Sequence, residues 1–253
     1  MKTITFIGNG NMALSIAKGL KERYKIEVVG RNISKLEKFE QELGVSVEKS
    51  LIDGFNIQDK TIILCVKPYN IEEVSKQLSG KSKVIYSVLA GSTIEKIKNN
   101  FNTNTVVRTM PNLAASVHHS MTTLTGDEDF KESALEIFNC IGPTVWLGSE
   151  KELDIATGLA GSGPAYLALI AEALADGAVK QGLKRDDAMA IMRGLFGGFG
   201  KLINEVHPAL LKDGVMSPGG TTAAGYAALE KGNVRNACID AIEAAYKRAT
   251  ELS

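Results

Sequence analysis

Up to about Ser149 the chain alternates short, almost wholly apolar runs with stretches in which apolar residues return every three or four positions. The short runs, Thr3–Ile7, Ile26–Val29, Thr61–Val66, Lys83–Val88 and Thr105–Thr109, are rich in branched residues and read as strands. Amphipathic segments at Met12–Lys21, Ser34–Leu43 and Ile71–Leu78 separate the first four and predict helices. Ser92-Thr93-Ile94-Glu95 reads as a capping box opening a helix to about Asn100. Met121–Thr125, a helix over Phe130–Ile141 and Thr144–Leu147 complete the pattern. Such repetition predicts βαβ crossovers, hence an α/β fold with a doubly wound, mostly parallel sheet.

After Ser149 no strand-like run recurs. The rest reads as helix rich in Ala and Gly, with breaks at Gly161–Pro164, Gly182, His207-Pro208 and Met216–Gly225. Without a Ser/Pro-rich linker or internal repeat, the boundary is a change of rhythm between Gly148 and Leu153. The expectation is a sheet domain over 1–150 and an all-α C-terminal domain over 151–253. Ala165–Val179 is apolar on much of its surface, with small residues that let helices approach closely. So short a segment is poorly able to bury that surface alone, which predicts a homodimer formed through the helical half.

Composition narrows the partners. The 253 residues are 44% hydrophobic, enough for a packed core, and 29 basic residues balance 29 acidic ones. A net charge of zero offers no electrostatic reason to bind nucleic acid or an anionic membrane, which leaves a small molecule as the expected partner. Cys65, Cys140 and Cys238 are odd in number and far apart, so buried thiols are expected rather than disulfides or a metal site. His118, His119 and His207 suggest neither a catalytic triad nor a metal. The longest uncharged run, Ile155–Ala171, falls short of the roughly 20 residues of a membrane span. With no secretory leader pattern, a cytoplasmic location is the expectation.

Candidate chemistry begins at Gly8-x-Gly10-x-x-Ala13, which follows a strand and opens a helix as a Rossmann dinucleotide fingerprint must. Gly8 makes the tight turn, Gly10 lets backbone approach a pyrophosphate, and the N–H groups around Asn11 and Met12 meet its charge at the positive end of the helix. The second strand ends Val28-Val29-Gly30-Arg31-Asn32, with no carboxylate at its tip to take a ribose hydroxyl. Arg31 suits a 2′-phosphate, which favours NADPH and leaves NADH open; a solvated surface arginine is the other reading. Further strand ends should line the same crevice, adding Val66, Lys67 and Pro68, then Ala90, then Pro111 and Asn112. Pro68 holds Lys67 extended, so either its backbone or its amine is the part that matters.

The second candidate is Met216–Gly225, an uncharged turn with vicinal hydroxyls at Thr221 and Thr222. Taken with the fingerprint, with Val66-Lys67-Pro68, Arg108-x-Met110-Pro111-Asn112, Gly161-Ser162-Gly163-Pro164-Ala165-Tyr166 and Glu172-Ala173-Leu174-Ala175-Asp176, its Ser217-Pro218-Gly219-Gly220-Thr221-Thr222 resembles the successive motifs of the pyrroline-5-carboxylate reductases. The resemblance spans essentially the whole chain, and the last motif is its most specific part. Two departures are Leu113-Ala114, where the family commonly has Thr-Pro, and Ala160, where it commonly has Ser.

The resemblance implies NAD(P)H-dependent reduction of the cyclic imine 1-pyrroline-5-carboxylate to L-proline, and dimers assembled into larger rings. It further implies that Ser217 and the Gly220–Thr222 backbone hold the substrate carboxylate, that the Thr222 hydroxyl meets the ring nitrogen, and that Glu205 orients that hydroxyl. Physical chemistry agrees with the loop's composition. Pro218 presets a turn, and Gly219 and Gly220 open access to backbone amides that can hold a carboxylate without arginine. Ser217 as a helix N-cap and Glu205 as a solvated helix residue are the bland alternatives. Dehydrogenases of 3-hydroxy acids share the architecture, and this chain carries their Gly158-x-x-Gly161-x-Gly163. Leu167 and Ala171, however, stand where they need Lys and Asn, and leucine cannot take a proton from an alcohol. A non-catalytic dinucleotide sensor would have no need of Ser217–Thr222.

Overall fold

Ten strands and eleven α-helices occur in the residues described, Met1–Leu252, of this computed structural model. They run β1 (Thr3–Ile7), α1 (Asn11–Leu20), β2 (Lys25–Gly30), α2 (Ile33–Leu43), β3 (Glu48–Leu51), β4 (Phe55–Asn56) and β5 (Thr61–Leu64). Next come α3 (Ile71–Ser75), β6 (Leu78–Ser79), β7 (Val84–Ser87), α4 (Ile94–Asn100), β8 (Val106–Met110), β9 (Thr122–Gly126), α5 (Lys131–Phe138) and β10 (Thr144–Trp146). The chain then continues as α6 (Glu150–Ala156), α7 (Gly163–Lys180), α8 (Arg185–Glu205), α9 (Pro208–Val215), α10 (Thr221–Lys231) and α11 (Val234–Glu251).

Eight strands form one sheet in the order β10-β9-β8-β7-β5-β1-β2-β3, parallel except where β9 runs against β8. Side chains alternate between its faces, as the two-residue period of a strand requires. Ile4 and Phe6 join Ile16, Leu20 and Phe39 in one apolar cluster, whereas Ile7, Ile62 and Leu64 join Ile71, Val74 and Ile97 in the other. Both faces are therefore covered by helices, which explains why the central strands are continuous apolar runs. The buried polar residues of β1 and β2 satisfy one another: Thr5 donates to Glu27 at 2.6 Å, and Lys60, just before β5, reaches the same carboxylate at 2.8 Å.

The backbone divides into two compact units, Met1–Ser162 with the chain from Glu243 onward, and Gly163–Ile242. The first unit thus extends past the change of rhythm at Gly148–Leu153 and reclaims the end of the last helix. Arg108, 1% exposed, explains the extension. From β8 its guanidinium reaches Glu150 at 2.9 Å and Asp154 at 2.8 Å, tying α6 to the sheet. Glu150 also accepts from the Ile94 N–H at 2.9 Å. That bond corrects the expected capping box: Thr93, not Ser92, caps α4, with its side chain accepting from Lys96, and Ser92 is buried with no partner for its hydroxyl.

Other expectations change for local reasons. Ile71–Leu78 is not one helix but α3 followed by β6, which pairs with β4. The strand β3 escaped notice because its residues Glu-Lys-Ser-Leu carry no apolar alternation; it is an edge strand held to β2 by backbone pairing. Pro164 does not break the helix. Thr157–Gly161 form a π turn, with the Ser162 N–H bonded to the Thr157 carbonyl at 3.0 Å, and helix runs on from Glu150 to Lys180. By length and composition this stretch of 31 residues is long and apolar enough to cross a membrane, which the shorter uncharged run had excluded.

In the second unit, Ala175 and Ala188 are the only buried residues among those described. Leu169, Ile191, Leu195 and Leu210 are all more than half exposed on the single chain. Apolar side chains in such number call for a covering surface.

Removing one member of a buried ion cluster leaves its partners uncompensated. Arg108→Met is expected to lower the free energy of unfolding in urea by about 3–5 kcal/mol. Pairing it with Asp154→Leu should recover a large part of that loss.

Candidate functional site

Because chain order reverses direction at β1, a crevice opens beyond the carboxyl ends of β1 and β5. Gly8 leaves β1 with φ +104°, a conformation that favours glycine, and donates its N–H to the Val29 carbonyl at 2.9 Å. A Cβ there would lie 2.6 Å from the Cys65 carbonyl oxygen, so the ends of β1 and β5 permit no side chain between them. At Gly10 the situation is reversed: a Cβ would meet nothing within 4 Å. Gly10 is the N-cap of α1 and offers no side chain to its first N–H groups. Open space in front of an uncapped helix start, beginning at Asn11 and Met12, fits a pyrophosphate. Behind the finger, burial pushes the Cys65 thiol well above its ordinary pKa, which makes it an inert wall.

The remaining candidates of this unit fall on the ends of parallel strands, on the same edge of the sheet. Arg31 follows β2 and pairs with Glu73 of α3 at 3.2 Å, an exposed contact. Val66, Lys67 and Pro68 follow β5. Lys67 is extended, with φ −79° and ψ 142°, and its carbonyl accepts from the Asn70 N–H at 2.9 Å, so its backbone shapes the turn while its amine projects without a partner. Ala90 is half-buried after β7, and the following Gly91 lies against Leu252 at the end of the chain. Pro111 is buried and Asn112 half-buried after β8.

Asn112 is not a free side chain. Its amide oxygen accepts from the Ala114 N–H at 3.0 Å, and its NH₂ donates to the Ala160 carbonyl at 2.9 Å. Ala160 is four residues before Pro164, which has no N–H to offer it. Asn112 thus supplies the hydrogen bond that the proline omits, and fixes the π turn beside the end of β8.

The loop of the second unit has a defined turn. The Gly220 N–H donates to the Ser217 carbonyl at 3.0 Å, with Pro218 and Gly219 between them and Gly219 at φ +71°, which is a type II turn. Gly220, not Ser217, is the N-cap of α10, so Ser217 is not the helix cap. A Cβ on Gly220 would collide with the Ser217 hydroxyl. The Gly220 amide is therefore internal, while those of Thr221 and Thr222 precede the first bond of the helix, Ala224 N–H to Gly220 carbonyl, and have no side-chain cap. Both threonines are exposed. Glu205 is exposed at the last residue of α8, and no hydrogen bond joins it to Thr222. At the far end of α10 the Arg235 guanidinium donates to the Tyr226 hydroxyl at 2.6 Å, and its hydrogen bond to Glu230 holds that carboxyl below the usual range.

Several residues on the elements that follow these strand ends were not singled out from sequence. A cleft of about 200 Å³ is lined by Gly10, Asn11, Lys35 and Lys38 among others. The two lysines lie three residues apart on one side of α2, a spacing visible in the sequence once Arg31 is placed. Tyr69, 81% exposed, stands on the turn after β5. Glu73 is 42 residues from Arg31 and gave no such signal.

The two glycines make opposite expectations. Gly8→Ala should lower thermal stability through its clash and backbone strain, whereas Gly10→Ala should fold as the parent does and bind NADPH weakly, as read by quenching of the dinucleotide's fluorescence. Equal losses of stability in both would contradict the assignment of open space at Gly10.

Two family models match the chain: one described as NADP oxidoreductase coenzyme F420-dependent over residues 3–91, and one described as pyrroline-5-carboxylate reductase dimerisation over residues 150–252. A pyrroline-5-carboxylate reductase of Helicobacter pylori is 32% identical over 98% of this chain and 99% of that protein. Among solved structures, a pyrroline-5-carboxylate reductase from Coxiella burnetii superposes with a TM-score of 0.84 at 34% identity, covering 99% of this chain and 98% of the other. The Plasmodium falciparum pyrroline carboxylate reductase, solved with NADP bound, has a TM-score of 0.81 at 25% identity, with 99% of each chain covered. Near-complete coverage at this identity, together with the motifs at both ends of the chain, means that the protein belongs to the pyrroline-5-carboxylate reductase family.

Proposed function

We propose that this chain reduces 1-pyrroline-5-carboxylate to L-proline with NADPH as the preferred reductant. The observation that carries the reading is the uncapped start of α10 behind the Ser217–Gly220 turn: an anion site without a cationic side chain, followed at once by a partnerless hydroxyl at Thr222. A nicotinamide dinucleotide, when bound, supplies the hydride. Gly8 and Gly10 make room for its pyrophosphate, and the N–H groups at Asn11 and Met12 take the charge. Arg31 takes the 2′-phosphate. Val66, Lys67, Pro68, Ala90 and Pro111 line the strand ends, and Asn112 holds them in position through the π turn.

The substrate carboxylate accepts from the Ser217 hydroxyl and from the Thr221 and Thr222 amides, while Gly219 and Gly220 give the turn its shape. As hydride adds to the carbon of the C=N bond, its electron pair moves to nitrogen. The Thr222 hydroxyl donates a hydrogen bond there, and Glu205 orients that hydroxyl. No strong acid is required when the imine arrives protonated. Oxidation of a 3-hydroxy acid would instead need a proton acceptor, and the helix offers only Leu167 and Ala171.

The exposed apolar surface of α7 to α9 supports a homodimer, including a cleft lined by Leu195, Phe199, Leu202, Leu211 and Val215. Assembly of dimers into a ring and a cytoplasmic location belong to the same proposal.

Oxidation of NADPH should follow addition of 1-pyrroline-5-carboxylate, and NADP⁺ with 3-hydroxy acids should give no reduction; activity only in the second assay overturns the function. Thr222→Ala is expected to reduce kcat about 10²-fold with a smaller change in KM. In sedimentation the parent should be a dimer or larger, and Ile191→Glu with Leu195→Glu should shift it towards monomer.

A further inference from the structure

The crossover from β5 into α3 sets a carboxylate against the residue assigned to cofactor choice. Arg31 and Glu73 meet at 3.2 Å with both side chains 56% exposed, so the pair is accessible to a ligand. The backbone beneath Glu73 is held: its carbonyl accepts from the Gln77 side-chain NH₂ at 3.2 Å, and the Gln77 backbone carbonyl accepts from the Gly54 N–H at 2.9 Å. The carboxylate that strand β2 lacks at its tip thus reaches it from another part of the chain.

We infer that Glu73 sets the balance between NADPH and NADH, on the reading that Arg31 faces the 2′-position of the cofactor. A 2′-phosphate carries between one and two negative charges near neutral pH and must compete with Glu73 for the guanidinium. A 2′-hydroxyl carries none and can donate to Glu73, as it does to the acidic residue of NAD-type sites. Arg31 therefore serves one cofactor and Glu73 the other. An exposed ion pair is weak, so the phosphate can displace it, and the penalty on NADPH is modest.

The test compares the parent with Glu73→Gln, Arg31→Ala and the double variant, using initial rates with 1-pyrroline-5-carboxylate. Titration of NADPH and NADH by their own fluorescence, without substrate, keeps the comparison independent of which substrate is reduced. Glu73→Gln should tighten NADPH about three- to fivefold and weaken NADH, in the titrations and in the KM for each cofactor alike. The gain for NADPH should shrink as salt is added and vanish when Arg31 is absent. Equal effects on both cofactors, or none, overturn the inference while Arg31→Ala still lowers the NADPH preference. Should Arg31→Ala leave that preference unchanged and Glu73→Gln keep its effect without it, both the coupling and the assignment of Arg31 fall.

Discussion

The first unit depends on a charge that cannot be left alone. Arg108 rises from β8 into an environment with almost no water, and an unpaired guanidinium there would be prohibitively costly. Glu150 and Asp154 meet it from α6, and Glu150 simultaneously takes the first free amide of α4. Three elements far apart in the chain are thereby fixed to one point of the sheet. From that point the backbone runs through the π turn, whose carbonyl is held by Asn112 at the end of the same strand. The strand-end crevice and the start of the helical half are consequently set by one network of polar contacts beneath an apolar sheet.

Much of the fold was legible because strands covered on both faces must be apolar throughout. Thr61–Leu64 and Val84–Ser87 announce themselves in this way, as does the finger between β1 and α1. What was illegible depends on long-range pairing. Glu48–Leu51 is polar and becomes a strand only because β2 presents an open edge. Thr93 displaces Ser92 as cap because Glu150, 56 residues away from Ile94, brings a carboxylate to the helix start. Pro164 is a breaker in any local reading, and Asn112 removes the reason for the break.

The same division runs through the candidate site. Gly8, Gly10 and Ser217–Thr222 stand out in the sequence because the geometry they form is local: turns, helix starts and the room around backbone. Asn112 follows the end of β8, as its motif suggested, but its side chain is engaged by Ala114 and Ala160 rather than free. Glu73 belonged to no motif and enters only through tertiary approach to Arg31. The exposed apolar side chains of the second unit, by contrast, were foreshadowed by the helix over Ala165–Val179, which is apolar on much of its surface.

In the proposed reaction, the uncapped start of α10 behind the Ser217–Gly220 turn would set a peptide dipole against an anion where many proteins would set an arginine or histidine. Peptide amides have no proton to gain or lose over the range in which enzymes work. Recognition by such a helix start is accordingly blind to acidity, and any titration seen in turnover must be traced to the ligand or to groups elsewhere. Its turn is also held before binding, since Pro218 fixes its own φ and the Gly220 N–H closes onto the Ser217 carbonyl.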